Sequence, residues 1–311
     1  MVEKIEFFIP STNGHNRLHT IMWKSDCPTL AILQISHGMI EHIERYDDFA
    51  SYLAERGILV VGNDHLGHGK SVTSHDELGY FNAPDSSKTV VDDLHQLTTF
   101  IKSKYPGIPY FLLGHSMGSF MARRYIMTYG NELDGAIIMG TGQQPALALK
   151  AGKLLVHLIS LFKPMTYRSK LIEQACFGTY NNRFKPRRTK SDWLSQDTAV
   201  VDAYIQDPFC DFTFTLNGYL TLFNTLSFIR RTQNIKQIPK NLPIFMVAGK
   251  EDPVGNFGKM VRKVYNHYKK IGIQDISLKL YENDRHELLN ELDKKQVYAD
   301  LYTWLKKHIS S

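Results

Sequence analysis

Phe111-Leu112-Leu113-Gly114-His115-Ser116-Met117-Gly118-Ser119-Phe120-Met121-Ala122 is the stretch whose reading decides the fold. Tyr110 to Leu113 is a short apolar run of the kind that makes a buried strand, and Ser119 to Tyr129 mixes apolar and basic residues as a helix does. Gly-x-Ser-x-Gly between them leaves room only for a sharp turn. A serine on such a strand-to-helix turn is held in a strained backbone conformation that pushes its hydroxyl out of the sheet. The chain passes so close to strand and helix there that the positions two before and two after need glycine, here Gly114 and Gly118. The helix that begins after Ser116 aims free N–H groups at the place where an oxyanion would form. Ser116 is therefore expected to be a nucleophile. The alternative is a glycine-rich turn with an idle serine.

Outward from this turn the same alternation recurs. Ile5 to Ile9 and Leu18 to Trp23 read as a hairpin across Ser11-Thr12-Asn13-Gly14. Leu30 to Ile35 and Ile58 to Val61 are near-continuous apolar runs, as in strands buried on both faces. Helical stripes cover 46–56 and 88–105, and Gly135 to Met139 is a further strand. Beyond residue 240, strands are expected at Leu242 to Gly249 and Ile276 to Tyr281, and helices at 257–270 and 297–309. The pattern predicts an α/β fold with a mostly parallel eight-stranded sheet and helices on both faces. Residues 141–240 break the rhythm, with helix-like stretches at 151–162, 191–206 and 212–230 and no convincing buried strand. The expected organisation is a core of residues 1–140 and 241–311. Residues 141–240 are expected to be a helical cap inserted over the carboxyl ends of the strands, where ligands sit in open α/β sheets.

The composition, 43% hydrophobic and 22% charged over 311 residues, supplies a sizeable core. Met1 to Glu6 lacks a signal-peptide pattern, no apolar run is long enough to span a bilayer, and Cys27, Cys176 and Cys210 form no Cys-x-x-Cys pair. Reduced thiols and a cytoplasmic location are the expectation. The total charge of +6 is uneven: residues 150–190 hold six Lys and four Arg against Glu173, a net +9, which leaves −3 for the rest. This basic run carries no nucleic-acid-binding motif, so no nucleic-acid partner is expected. Beside it, residues 151–162 are either a helix packed on the core or a lipid-facing surface, and peripheral contact with an anionic membrane surface is the partner expectation. His65 and His68 beside Asp64 are read as a hydrogen-bonded loop, because glycines separate them and no matching ligands appear elsewhere. No metal and no cofactor are expected.

A serine hydroxyl needs a base, and the base needs an orienting carboxylate. After a serine on this kind of turn the partners follow in the order acid, then histidine. Of the histidines after Ser116, His267 and His308 fall in helices and His157 in the insertion. His286 alone lies in a loop after a late strand. The acid is expected just past the preceding strand. Asp252 is favoured over Glu251 because Pro253 biases it to extended backbone, and Asp284 is read as a loop-capping residue. Oxyanion donors are expected from the backbone N–H groups of Met117 and of Met39, whose loop turns at Gly38; His37 is read as holding that loop.

His37-Gly38-Met39-Ile40-Glu41-His42-Ile43-Glu44-Arg45-Tyr46 resembles the His-Gly-x-x-Glu-His-x-x-Arg-Tyr segment of monoacylglycerol lipases and related bacterial lysophospholipases. Asp64-His65-Leu66-Gly67-His68-Gly69-Lys70-Ser71 is similar to their Asp-x-x-Gly-His-Gly-x-Ser loop, and Gly-His-Ser-Met-Gly to their elbow. The match covers residues 29–140 and 242–290 and does not visibly extend into the insertion. It implies an α/β-hydrolase fold with a helical cap, with Asp252 and His286 where the triad partners fall. The activity it implies is hydrolysis of a lipid-like carboxylic ester, a monoacylglycerol or lysophospholipid, through an acyl-enzyme. A small-substrate carboxylesterase, a peptidase of the same fold, and a non-catalytic ligand-binding protein are the alternatives.

Overall fold

The computed structural model describes residues 1–309. β1 (Val2–Pro10) and β2 (Arg17–Ser25) form the hairpin, followed by β3 (Ala31–Ser36), α1 (Asp47–Ala54), β4 (Ile58–Asn63), α2 (Ser86–Lys104), β5 (Tyr110–His115), α3 (Met117–Thr128) and β6 (Gly135–Met139). Five helices come next: α4 (Ala146–Ser160), α5 (Lys170–Phe177), α6 (Thr198–Gln206), α7 (Leu216–Ile229) and α8 (Thr232–Ile235). β7 (Ile244–Gly249), α9 (Lys259–Lys270), β8 (Ile276–Tyr281) and α10 (Lys294–Ile309) close the chain.

The eight strands form one sheet in the order β1-β2-β4-β3-β5-β6-β7-β8. β1/β2 and β2/β4 pair antiparallel, and every other pair is parallel. The apolar runs are continuous because both faces of the strands are covered. Tyr110 and Leu112 of β5 join the core that α2, α3 and α9 build on one face. Phe111 and Leu113, pointing the other way, join the core built by α1 and α10. From β3 the chain moves outward to β4 and then crosses back to β5, so the order reverses between β3 and β5. Ser36 of β3 stands in register with Gly114 of β5, and the loops that follow these two strands emerge side by side. This is the switch point at which open α/β sheets bind ligands.

The inserted helices differ from the sequence expectation at their boundaries, and side chains that bond to backbone account for it. The expected helix over 191–206 begins only at Thr198. Asp192 accepts from the N–H groups of Arg188 and Thr189, and Asp197 caps α6 at Ala199 N–H. The expected helix over 212–230 begins at Leu216, capped by Thr215, while Thr215 itself makes an antiparallel bridge with Arg168. Helix α5, capped by Ser169, was not expected from the sequence. Near the acid loop, α9 starts two residues late because Asn256 and Phe257 have positive φ. Helix α4 buries Leu149 and Val156 against the other helices but exposes Leu147, Leu154, Leu158, Leu161 and Phe162 at its far face and end. One face of this stretch is thus packed and the other is exposed. No helix among the described residues is long and apolar enough to cross a membrane.

Candidate active site

Ser116 follows β5 and caps α3 with φ 53° and ψ −119°, a strained conformation for a residue with a side chain. Its N–H donates to Met139 O at 3.0 Å, and its carbonyl accepts from Ser119 N at 2.9 Å and Ser119 Oγ at 2.6 Å. The glycines on either side are required by close approach. A Cβ on Gly118 would land on the Ser36 carbonyl oxygen, and one on Gly114 on the carbonyl of Gly118. The elbow is thus pinned to both neighbouring strands.

The loop after β3 passes directly over this serine: a Cβ on Gly38 would lie 3.1 Å from Ser116 Cβ. His37 holds the loop, its Nδ1 2.8 Å from Gly38 O and its Nε2 accepting from His65 N–H at 2.9 Å. Met117 is the first residue of α3, where an N–H has no intrahelical acceptor. Neither its N–H nor that of Met39 donates to a protein acceptor among the described residues.

Asp252 and His286, 34 residues apart in the chain, meet beyond the carboxyl ends of β7 and β8. Asp252 is fully buried; its Oδ1 accepts from Val254 N–H at 2.8 Å and its Oδ2 lies 3.0 Å from His286 Nδ1. The approach is off the line of an ideal hydrogen bond, as catalytic pairs often are without substrate. His286 is flanked by the rings of His115 at 4.8 Å and Trp193 at 5.0 Å. Glu251 points elsewhere, half exposed and 3.9 Å from Arg183. Asp284 does not cap its loop as expected. Burial beside Asp293 and Glu291 pushes its carboxyl up to about 7.

A buried polar network ties these loops together. Glu41 accepts from Gly38 N–H, from Tyr46 OH at 3.0 Å and from Arg45 at 3.0 Å, and lies 3.1 Å from His115 Nδ1. Arg45 also grips Glu287 with two bonds of 2.8 Å, and His115 Nε2 lies 3.2 Å from the His286 carbonyl. Burial alone would raise the Glu41 carboxyl, but the bond and charge of His115 and the charge of Arg45 hold it well below the usual range. The sequence signals for it are the i,i+4 spacing of Glu41 and Arg45 and the fixed places of Glu41, Arg45 and Tyr46 in the segment 37–46. Glu287, the partner of Arg45, lies more than two hundred residues away.

The loop of Asp64, His65 and His68 is hydrogen-bonded, as expected. Asp64 accepts from Ile43 and Lys70 N–H groups at 2.8 Å and meets His19 Nδ1 at 2.8 Å. His65 Nε2 lies 3.2 Å from both Ser36 Oγ and His37 O. Burial pushes His65 down to about 3 and His68 to about 4, so both rings are neutral at physiological pH.

Ser116, His286 and Met39 border one cavity of about 640 Å³, within the size range of small-molecule sites. Leu149, Leu155, Ile172, Leu222, Phe223 and Leu226 from the inserted helices supply much of its wall.

Residues 28–293 match the profile of the family described as serine aminopeptidase, S33. The chain is 28% identical over 291 residues to a monoglyceride lipase homolog of Monkeypox virus, covering 91% of this chain and 92% of that protein. It is 27% identical over 301 residues to a monoacylglycerol lipase of Mycolicibacterium smegmatis, covering 95% of each. Among solved structures, a thermostable carboxyl esterase from Bacillus coagulans superposes with a TM-score of 0.91 at 29% identity, covering 98% of this chain and 99% of that one. With an elbow serine between β5 and α3, an eight-stranded sheet of this order and a family match over most of its length, the chain belongs to the serine aminopeptidase S33 family of α/β-hydrolases.

Proposed function

We propose that this carboxylic ester hydrolase cleaves lipid-like esters, monoacylglycerols or lysophospholipids, through an acyl-enzyme on Ser116. The observation that carries this reading is the apolar cavity between Ser116 and the inserted helices. His286 takes the proton of the Ser116 hydroxyl as it attacks the ester carbonyl, and later gives it to the leaving alcohol. Asp252 orients the imidazole and balances its transient charge. The N–H groups of Met39 and Met117 receive the oxyanion, each contributing on the order of 3 kcal/mol in the transition state. Water then repeats the cycle on the acyl-enzyme. Residues 141–240 act in this scheme as a cap that shapes the acyl pocket.

A peptidase reading is less well supported by the cavity. An aminopeptidase needs a carboxylate free to meet the substrate's ammonium group. The acidic residues at this cavity are Glu41 and Glu287, both bonded to Arg45. The test is a panel of esters of graded acyl length beside amino-acyl amides. Each methylene buried in the pocket is worth about 0.8 kcal/mol, so kcat/KM should rise about fourfold per methylene until the pocket is full. Activity that falls with chain length, or that favours amino-acyl amides, would overturn the reading.

The exposed face of α4 adds a second element to the proposal. Leu154, Leu158, Leu161 and Phe162 form an apolar ridge, with Lys150, Lys163 and Lys170 nearby in sequence and exposed. Within the basic run, Arg183 pairs with Glu251 and Arg188 with Asp202, while Lys185 and Arg187 have no ion-pair partner among the described residues. Such a surface rests on an anionic bilayer, each nearby cation contributing about 1 kcal/mol at low salt. The protein should sediment with anionic but not neutral vesicles, and less so as salt rises. Leu158→Ser with Phe162→Ser, or Lys185→Gln with Arg187→Gln, should reduce the bound fraction. Wild type that stays in the supernatant with anionic vesicles at low salt would exclude the docking.

A further inference from the structure

His42, Asp207 and Cys210 are brought together by the fold from two distant segments. His42 lies in the loop after β3, and its Nε2 sits 2.8 Å from Asp207 Oδ2, 165 residues further along the chain. Asp207 and Cys210 share one turn at the end of α6, where Cys210 N–H donates to Asp207 O at 2.9 Å and Phe209 N–H to Asp207 Oδ1 at 2.8 Å. One imidazole nitrogen, one carboxylate oxygen and the Cys210 sulfur all lie within 4.8 Å of one another. His42 and Cys210 are buried, and Asp207 is largely so.

Three further observations bear on what such a group would hold. Ligand atoms around tetrahedral zinc sit roughly 3.3–3.6 Å apart, given bond lengths of about 2.0–2.3 Å, so closing the site takes side-chain shifts on the order of 1 Å. The carboxylate and a thiolate together neutralise a divalent ion. The cation nearby, Arg45, is already matched by Glu41 and Glu287. Cys210 also lines a second cavity, of about 810 Å³, shared with Ile40, Tyr204 and Phe212. That cavity offers an entry path and room for a water as fourth ligand. A nitrogen, an oxygen and a sulfur donor favour zinc over magnesium or calcium, which take oxygen ligands.

We propose that His42, Asp207 and Cys210 form a Zn²⁺ site that fastens the turn at the end of α6 to the loop after β3. On binding, the metal replaces the hydrogen on His42 Nε2, the neutral imidazole carries its hydrogen on Nδ1, and the Cys210 thiol proton leaves to solvent. The site stands outside the cavity that Ser116 borders and does not depend on the ester-hydrolase reading.

The test uses the full chain, stripped with a chelator and titrated with Co²⁺ as a spectroscopic stand-in and with Zn²⁺. One equivalent of Co²⁺ should produce a near-ultraviolet thiolate-to-cobalt charge-transfer band, and excess Zn²⁺ should remove it. Cys210→Ser should lose the band, and His42→Gln should weaken metal binding by about tenfold or more. A Cys27→Ser/Cys176→Ser double variant should keep it. Zn²⁺ should raise the melting temperature of wild type and not of Cys210→Ser. X-ray absorption on the wild-type zinc complex needs no variant: one sulfur at about 2.3 Å with nitrogen or oxygen neighbours at about 2.0–2.2 Å is the expected shell. No band, a band that survives Cys210→Ser or needs Cys27 or Cys176, or a shell without sulfur would overturn the proposal.

Discussion

Ser116→Ala should lower kcat by about four to six orders of magnitude while leaving the folded protein intact. Removing the hydroxyl takes away the bond-forming atom, and nothing nearby replaces it. Ser119 Oγ is bonded to the Ser116 carbonyl and points into the turn. The alanine methyl fits where the serine Cβ already sits, so the melting temperature should hardly move. A fluorophosphonate probe should label wild type and not the variant. Labelling that persists would place the nucleophile elsewhere.

Asp252→Asn should cost about four orders of magnitude in kcat. In the buried pocket the new amide would present either its NH₂ or its oxygen to His286 Nδ1. The first forces the imidazole into the tautomer that cannot accept the serine proton, and the second leaves it without a balancing charge when it becomes cationic. The first orientation keeps the acceptor for Val254 N–H and with it the loop, whereas the second sets NH₂ against that N–H and is disfavoured, so circular dichroism and thermal melts should stay close to wild type. Glu251→Gln is the control. Its carboxylate pairs with Arg183 at the surface, an interaction worth at most about 1 kcal/mol, and kcat should change little. If the two variants exchange their effects, the acid is Glu251.

Much of the fold and part of the candidate site are legible in the sequence alone. The strands stood out because both sheet faces are covered, which makes Leu30 to Ile35, Ile58 to Val61 and Tyr110 to Leu113 almost wholly apolar, with Gln34 the one polar residue. The elbow could be read from its glycines, since only close backbone approach demands them at those two places. Asp252 could be separated from Glu251 by the proline behind it, and in the structure it is Asp252 that lies beside His286. What escaped has a common cause: it depends on side chains that reach across the fold. The starts of α6 and α7 are set by Asp192, Asp197 and Thr215 bonding to backbone, which apolar periodicity does not register. Arg45 joins Glu41 to Glu287, and His42 meets Asp207, across separations that no local pattern encodes.

The reversal of strand order between β3 and β5 bears on how this protein can change its diet. Met39, Ser116, Asp252 and His286 all issue from the ends of β3, β5, β7 and β8, and none from residues 141–240. In the proposed scheme the reacting groups therefore come from the sheet, while much of the cavity wall comes from residues 141–240. A chimera that exchanges α4 to α6 for another set of helices should keep its nucleophile and acquire a new diet. Helix α7 sets the limit to such grafting. Thr221 is bonded to Ser86 of α2, and Phe228 lies 4.3 Å beneath the guanidinium of Arg124 in α3. Residues before Thr215 are tied to the core as well, Ser195 and Gln196 to Glu291 and Asp207 to His42, so a graft must rebuild those bonds, and α7 must travel with its host.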